Sequence, residues 1–357
     1  VATTAEDWGA LGRAMAAAGV DYLPWEGQGL RDDECFVCTV RLSETDRTVE
    51  DVVPRWMQRE IMPPRHPKPQ VLLPNLSPIT PRRILIPACK SCNNEHLSRV
   101  EIALSKAFQE GADAVRALPE RTLRVWAAKI AYGLRRNDMR LRSNQRDPAA
   151  PMIATAADLQ GMLQLHTLLQ ECRDVVRVTE GHSTFFVFRS QQVGCNACDF
   201  DIAVPTGWPY TVMVRLGPVT VMGAVDDRGA LRTLHSTPAF AAASGLSLHP
   251  LQVRALLALL VHQAHLIRED RLPLRYGVSG RRLWLDRLPP QGPTTDPRRE
   301  QATADQILQN LVAASPDVLA AHGGAVGLLV LPAGTPRHMP LKHGVLSLGA
   351  ERGETSP

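Results

Sequence analysis

Two Cys-x-x-Cys pairs, Cys35/Cys38 and Cys89/Cys92, constrain this chain more than any other feature in it. Four thiols in two such knuckles fit a tetrahedral zinc site, which pins two loops together and does no chemistry itself. Cys38 and Cys89 lie 51 positions apart, so the chain between them must itself fold. Seven cysteines is an odd count; a third pair, Cys195/Cys198, and a single Cys172 make up the rest. A disulfide scaffold explains them poorly, because 357 residues can bury a real core. Cys195 and Cys198 read as a loop with two free thiols, unless Cys172 and a histidine such as His182 complete a second metal set.

The composition, 44% hydrophobic and 21% charged, is that of an ordinary globular fold. No apolar run approaches the roughly 18–20 residues that span a bilayer, so no membrane partner is expected. Val1 to Trp8 carries acidic residues and lacks the basic-then-apolar layout of a signal peptide, an expectation of a cytoplasmic protein. The net charge of +4 argues little by itself, but its distribution does. Nine Lys/Arg face three acids between Pro54 and Lys106. That surplus suits a phosphate-bearing partner, with a merely solvated face as the plain alternative.

Periodicity sets out the elements. Thr4 to Ala18 reads as a short amphipathic helix. The proline-dense stretch from Met62 to Pro81 must be an extended connection. A helix is expected directly after Cys92, with Leu97, Val100, Leu104, Ala107 and Phe108 as its apolar stripe, and Trp56 reads as a core residue rather than a base-stacking platform. Arg121 to Arg136 is a further helix, and Thr155 caps another expected to run to about Val178. Ser183–Phe188, Thr211–Leu216 and Val219–Val225 are β-rich, with Gly217-Pro218 turning a hairpin. His249-Pro250 opens an apolar helix to Ile267, on which His262 and His265, three apart, read as helix-face residues rather than a shared metal site. Asp226 to Gly229 reads as a turn after a strand, and Gln301–Ala314 as a helix. The expected class is therefore α+β: a small metal module over residues 1–115, then a helical connector and a mixed α/β domain over 116–357.

The residues around the knuckles carry a resemblance. CFVC, then VEDVVPRWM, then IPACKSCNNEHLSRVE resembles the four-cysteine branch of the HNH (ββα-metal) endonucleases. In that branch an acidic-plus-His dipeptide lies between the knuckles and an Asn follows the last cysteine. The match covers residues 30–108; the segments beyond are reminiscent of long C-terminal regions on some bacterial HNH proteins, where target recognition, regulation or homo-oligomer contacts would reside. The resemblance implies metal-dependent hydrolysis of DNA, as in phage defence or mobile-element biology. It implies structural Zn²⁺ on Cys35, Cys38, Cys89 and Cys92, and a catalytic Mg²⁺ or Mn²⁺ on Glu50 and Asn93, with His96 on the face of Asn93. The cation would stabilise the scissile phosphate while a base deprotonates water. Arg55, Arg59, Arg82, Arg83 and Lys90 would contact phosphates.

At one position the chain departs from the family pattern. Asp51 stands where the catalytic histidine is expected, and a carboxylate is a far weaker base than an imidazole. Either Asp51 is a second metal ligand beside Glu50, or His66 or His96 supplies the imidazole, or the module no longer cuts. In the last case it would bind nucleic acid or protein, or serve small-molecule chemistry.

Overall fold

The computed structural model describes residues 5–22, 30–61, 70–75, 77–192, 199–205, 207–292, 294–295, 305–307, 309, 325, 329 and 337. The chain is mixed α+β. Helix α1 (Ala5–Ala17) leads to the first knuckle, strand β1 (Arg47–Asp51) and helix α2 (Arg55–Ile61). The short strands β2 (Val71–Leu72) and β3 (Pro78–Ile79) pair with each other, and β4 (Leu85–Cys89) pairs antiparallel with β1. A π-wound turn (Cys92–Leu97) runs into α3 (Ser98–Glu110), followed by α4 (Ala112–Arg116) and α5 (Glu120–Asp138).

The long helix expected after Thr155 is three pieces and a strand: α6 (Ala156–Gln160), α7 (Leu163–Leu169), a 3₁₀ turn (Gln170–Arg173) and β5 (Val176–Val178). Thr155 does cap, with reciprocal bonds to Asp158. The run ends because Asp174 turns left-handed at φ 65°, a conformation that Asp tolerates. The valines beyond it then pair parallel with Leu283–Leu285, where their branched side chains suit a sheet.

Next come β6 (Thr184–Ser190), β7 (Phe200–Ala203), β8 (Thr211–Leu216), β9 (Val219–Ala224), α8 (Pro238–Ser244), β10 (Ser247–Leu248), α9 (Pro250–Leu266), β11 (Leu274–Ser279) and β12 (Arg282–Arg287). One sheet has the order β10-β6-β9-β8-β7, the other β11-β12-β5. The β8–β9 hairpin turns at Gly217, whose φ of 54° suits glycine. Alternation along its strands divides two cores: Val212, Val214, Val219 and Val221 face one, Met213, Met222 and Ala224 the other. The second core is covered by α8 and α9. The first also takes in the knuckles, Val52 and Val53 after β1, β4, α3 and α5, so it crosses the expected division between residues 115 and 116.

Helix α5 is buried almost all round from Leu123 to Asp138, as befits a central helix. Gly133 lies where a Cβ would come within 2.9 Å of Val52 and 3.2 Å of Ile86, so the β1–β4 ribbon rests against it. No described helix is long and apolar enough to cross a membrane. His66, Cys195, Cys198 and most of Gln301–Ala314 lie outside the described residues.

Candidate metal centre and carboxylate cluster

The first knuckle is a tight turn. Cys35 N donates to Val40 O at 2.9 Å, Thr39 N donates to Cys35 O at 2.9 Å, and Thr39 sits at φ 64°. Phe36 N donates to Pro87 O at 3.0 Å, which lays this turn against β4. Cys89 closes β4, and Cys92 opens the π-wound turn with its N–H on Cys89 Sγ at 3.4 Å. The four sulfurs converge within 4.8 Å of one another, close enough to hold one metal ion. Cys38 and Cys89 are 3.7 Å apart, far beyond a disulfide bond. So close together, the thiols share protons unequally. Hydrogen bonding with Cys35 draws Cys38 down to about 4 and pushes Cys89 and Cys92 up.

Residues far along the chain brace this centre. His166 Nε2 donates to Phe36 O at 3.1 Å and Gln170 Nε2 to Val37 O at 2.6 Å. Because the Phe36 carbonyl only accepts, the His166 proton lies on Nε2, and Nδ1 accepts from Tyr22 Oη at 2.9 Å. Burial holds His166 down to about 4, so it is neutral at pH 7. Burial also works against the Arg173 charge, and the neighbouring Cys38 and Cys92 together with Asp21 more than offset it.

The residues expected to do chemistry are distributed differently from the expectation. Glu50 and Asp51 are neighbours on a strand and point to opposite sides. Glu50 turns inward, 5% exposed, and pairs with Lys129, which is 1% exposed and also pairs with Glu101. Lys129 Nζ completes its set by donating to the Asp51 carbonyl at 2.9 Å. Burial disfavours the Lys129 charge, but Glu50 and Glu101 outweigh it, and the ammonium stays protonated. Burial pushes Glu50 up to about 7 against the pull of Lys129, with Glu101 adding to the rise. The result is a charged lysine whose second carboxylate neighbour makes Glu50 easier to protonate.

Asp51 accepts from Arg55 Nε at 2.7 Å and from Gln58 Nε2 at 3.1 Å. Asn93 is not the start of the helix but lies inside the π-wound turn. Its Nδ2 donates to Thr48 Oγ1 at 3.1 Å and Val49 O at 3.2 Å, tethering the helix to β1. His96 takes other partners: Arg99 Nη2 donates to its Nδ1 at 3.0 Å, and Ser91 Oγ lies 3.4 Å from Nε2. The wider π winding is why a spacing of three places Asn93 and His96 against different partners, where an α-helix would stack them.

Arg55, Arg59, Arg82, Arg83 and Lys90 are all exposed. The ribbon register, Arg47 opposite Cys89 and Asp51 opposite Leu85, separates them. Four arginines flank the Asp51 end, and Lys90 lies at the thiol end, about 13 Å away along the strand. Trp56 is half-buried against Phe108, with ring centroids 5.3 Å apart, and belongs to the core. His182 is bonded to Asp226 at 2.7 Å, and neither it nor Cys172 belongs to a group that could hold a metal ion among the described residues. The expected turn after β9 holds Asp226 and Asp227 fully buried.

No protein-family model, curated protein or solved structure matches this chain.

Lys129, Glu101, His166 and Gln170 are site residues that sequence reasoning missed. For Lys129 a signal existed: a lone cation inside VWAAKIAYGL, with Trp126 and Tyr132 three positions either side. A charge on such a face needs a buried partner. For His166 and Gln170 there was none, since their partners are more than a hundred positions away.

Proposed function

We propose that residues 30–110 are a zinc-held ββα-metal module of HNH type that engages DNA without hydrolysing it. The order of strand, antiparallel strand and helix around two Cys-x-x-Cys knuckles supports the module. Zinc bound at about 2.3 Å to four thiolates spaces neighbouring sulfurs by about 3.8 Å, and Cys38 and Cys89 at 3.7 Å fit that tetrahedron. The ion would hold all four cysteines as thiolates, with Arg173 offsetting part of the charge.

One observation carries the claim that the module does not cut. Each of Glu50, Asp51, Asn93 and His96 is bonded to protein groups. One-metal hydrolysis needs a carboxylate open to a hydrated cation and a base open to water. Glu50 faces a lysine ammonium, and Asp51 faces an arginine. The basic end of the ribbon then supplies phosphate contacts, since Arg59, Arg82 and Arg83 hold no ion-pair partner among the described residues.

Gel retardation of a short duplex tests the binding half. Zinc-loaded protein retards the DNA with a salt-dependent affinity. Arg82→Ala/Arg83→Ala weakens binding and lowers the salt slope by about 2, one for each phosphate that no longer meets an arginine. Unchanged affinity and slope in that variant would place the DNA surface elsewhere, and no retardation by the parent would remove the reading.

A further inference from the structure

We propose that the outer face of the sheet β11-β12-β5 binds single-stranded nucleic acid, with Trp284 stacking on a base and Arg177 and Arg282 meeting phosphates. This goes beyond the duplex-binding module and does not rest on it, since every residue of the face lies outside residues 30–110.

Alternation puts Trp284 on the side of the sheet away from the core. Its neighbours Leu283 and Leu285 are wholly buried, whereas Trp284 is 37% exposed on the central strand. The register places Gly277 of β11 on one side of it and Arg177 of β5 on the other. The flank toward Gly277 is open, for nothing lies within 4 Å of where a Cβ on that glycine would be. No ring or guanidinium among the described residues stacks on Trp284. An indole bared in this way is a platform on which the face of any base can stack.

Charge then selects the partner. Asp174 takes three guanidinia: Arg177 at 2.6 Å, Arg121 at 3.2 Å, and Arg282. One carboxylate thus gathers three cations and compensates one of them. It also holds their planar forks in place beforehand, which lowers the cost of ordering them around a ligand. All four side chains are part-exposed, so the surplus reaches solvent. Arg282 is two residues from Trp284 on the same strand face and Arg177 is directly across from it. Both therefore root about 5–7 Å from the tryptophan along the sheet. Toward the other end of the face Arg275 and Asp286 offset each other at 2.9 Å, which leaves the positive side at Asp174. A bare indole beside surplus arginines is complementary to a base joined to a phosphate. A duplex hides the faces of its bases, and a sheet touches only one side of a lone nucleotide. A single strand exposes its bases and adds contacts from successive units.

The zinc-loaded full chain is titrated against a fluorescein-labelled oligothymidylate of about 12 nucleotides, following anisotropy over a range of salt. The parent binds the strand. Trp284→Ala weakens binding about tenfold or more with the salt slope unchanged, and Trp284→Phe restores most of the affinity because its ring still stacks. Arg282→Ala lowers the salt slope by about 0.7, the value for one phosphate of a single strand, and so tests the face independently of the tryptophan. Thermal unfolding of these variants matches the parent, since both side chains lie outside the core. Absence of binding by the parent overturns the proposal, as does equal affinity in Trp284→Ala or an unchanged slope in Arg282→Ala. Thymidine monophosphate that displaces the strand as effectively per nucleotide also overturns it, in favour of a mononucleotide site. Failure of the parent to retard duplex would leave oligothymidylate binding standing, so the two readings fail separately.

Discussion

Lys129 bears a charge on a helix whose neighbours Ala128, Ile130 and Ala131 are buried, and it is tolerated because all three of its protons are accepted. His166 solves the opposite problem. It is fully buried with no carboxylate partner, so it stays neutral, bridging Tyr22 and the Phe36 carbonyl. Its folded pKa of about 4 lies below the usual histidine value of 6.5, so its contribution to stability is present above about 6.5 and is lost as pH falls toward 4. Over that window it removes about 3 kcal/mol. The expected result is a urea midpoint that drops between pH 6.5 and pH 4 less steeply in His166→Gln than in the parent. Parallel slopes would mean that acid acts elsewhere, for instance only on the thiolates. The cysteines announced themselves because their spacing is local. The partners of Lys129 and His166 did not, because the Asp51 carbonyl and Phe36 are 78 and 130 positions away.

At the scale of elements, packing of α5 on the β1–β4 ribbon sets the geometry around Lys129. Gly133 is one turn beyond it, and a methyl group there would press on both Val52 methyls at 2.9 Å. Helix propensity alone favours Gly133→Ala by about 1 kcal/mol, whereas overpacking costs about 1–3 kcal/mol. The overpacking wins because Val52 and Ile86 are wholly buried. A lower urea midpoint with an unchanged slope is therefore expected, and a raised midpoint would show that the ribbon yields. Elements marked by local signals were legible: the capping Thr155, the Gly217-Pro218 turn and the β-rich segments that flank it all lie where expected. The break of the Thr155 helix was not, since helix and strand patterns overlap in QECRDVVRV and only pairing with β12 decides for strand. The π winding after Cys92 was equally hidden, because it depends on the knuckle and on the tether from Asn93 to β1.

Across the whole molecule, α5 is the clamp. At its start Glu120 accepts from Gly181 N at 2.8 Å, Ser183 N at 2.9 Å, Arg232 at 2.9 Å and Arg124 at 2.6 Å, which fixes the approach to β6. Two turns on, Lys129 holds β1 and α3. Below the thiol centre, His166 and Gln170 support the first knuckle from α7 and the turn after it. The proposed DNA-binding module thus stands on the helices that follow it, and its carboxylates are held by one of them. The α+β class and the thiol cluster were readable from patterns; the closure of the carboxylate site was not, since it arises where three elements meet. The direct test is supercoiled plasmid incubated with zinc-loaded protein in Mg²⁺ or Mn²⁺, beside Asn93→Ala. The expected result is a retarded plasmid that remains supercoiled with parent and variant alike; metal-dependent nicking by the parent that Asn93→Ala abolishes would contradict it.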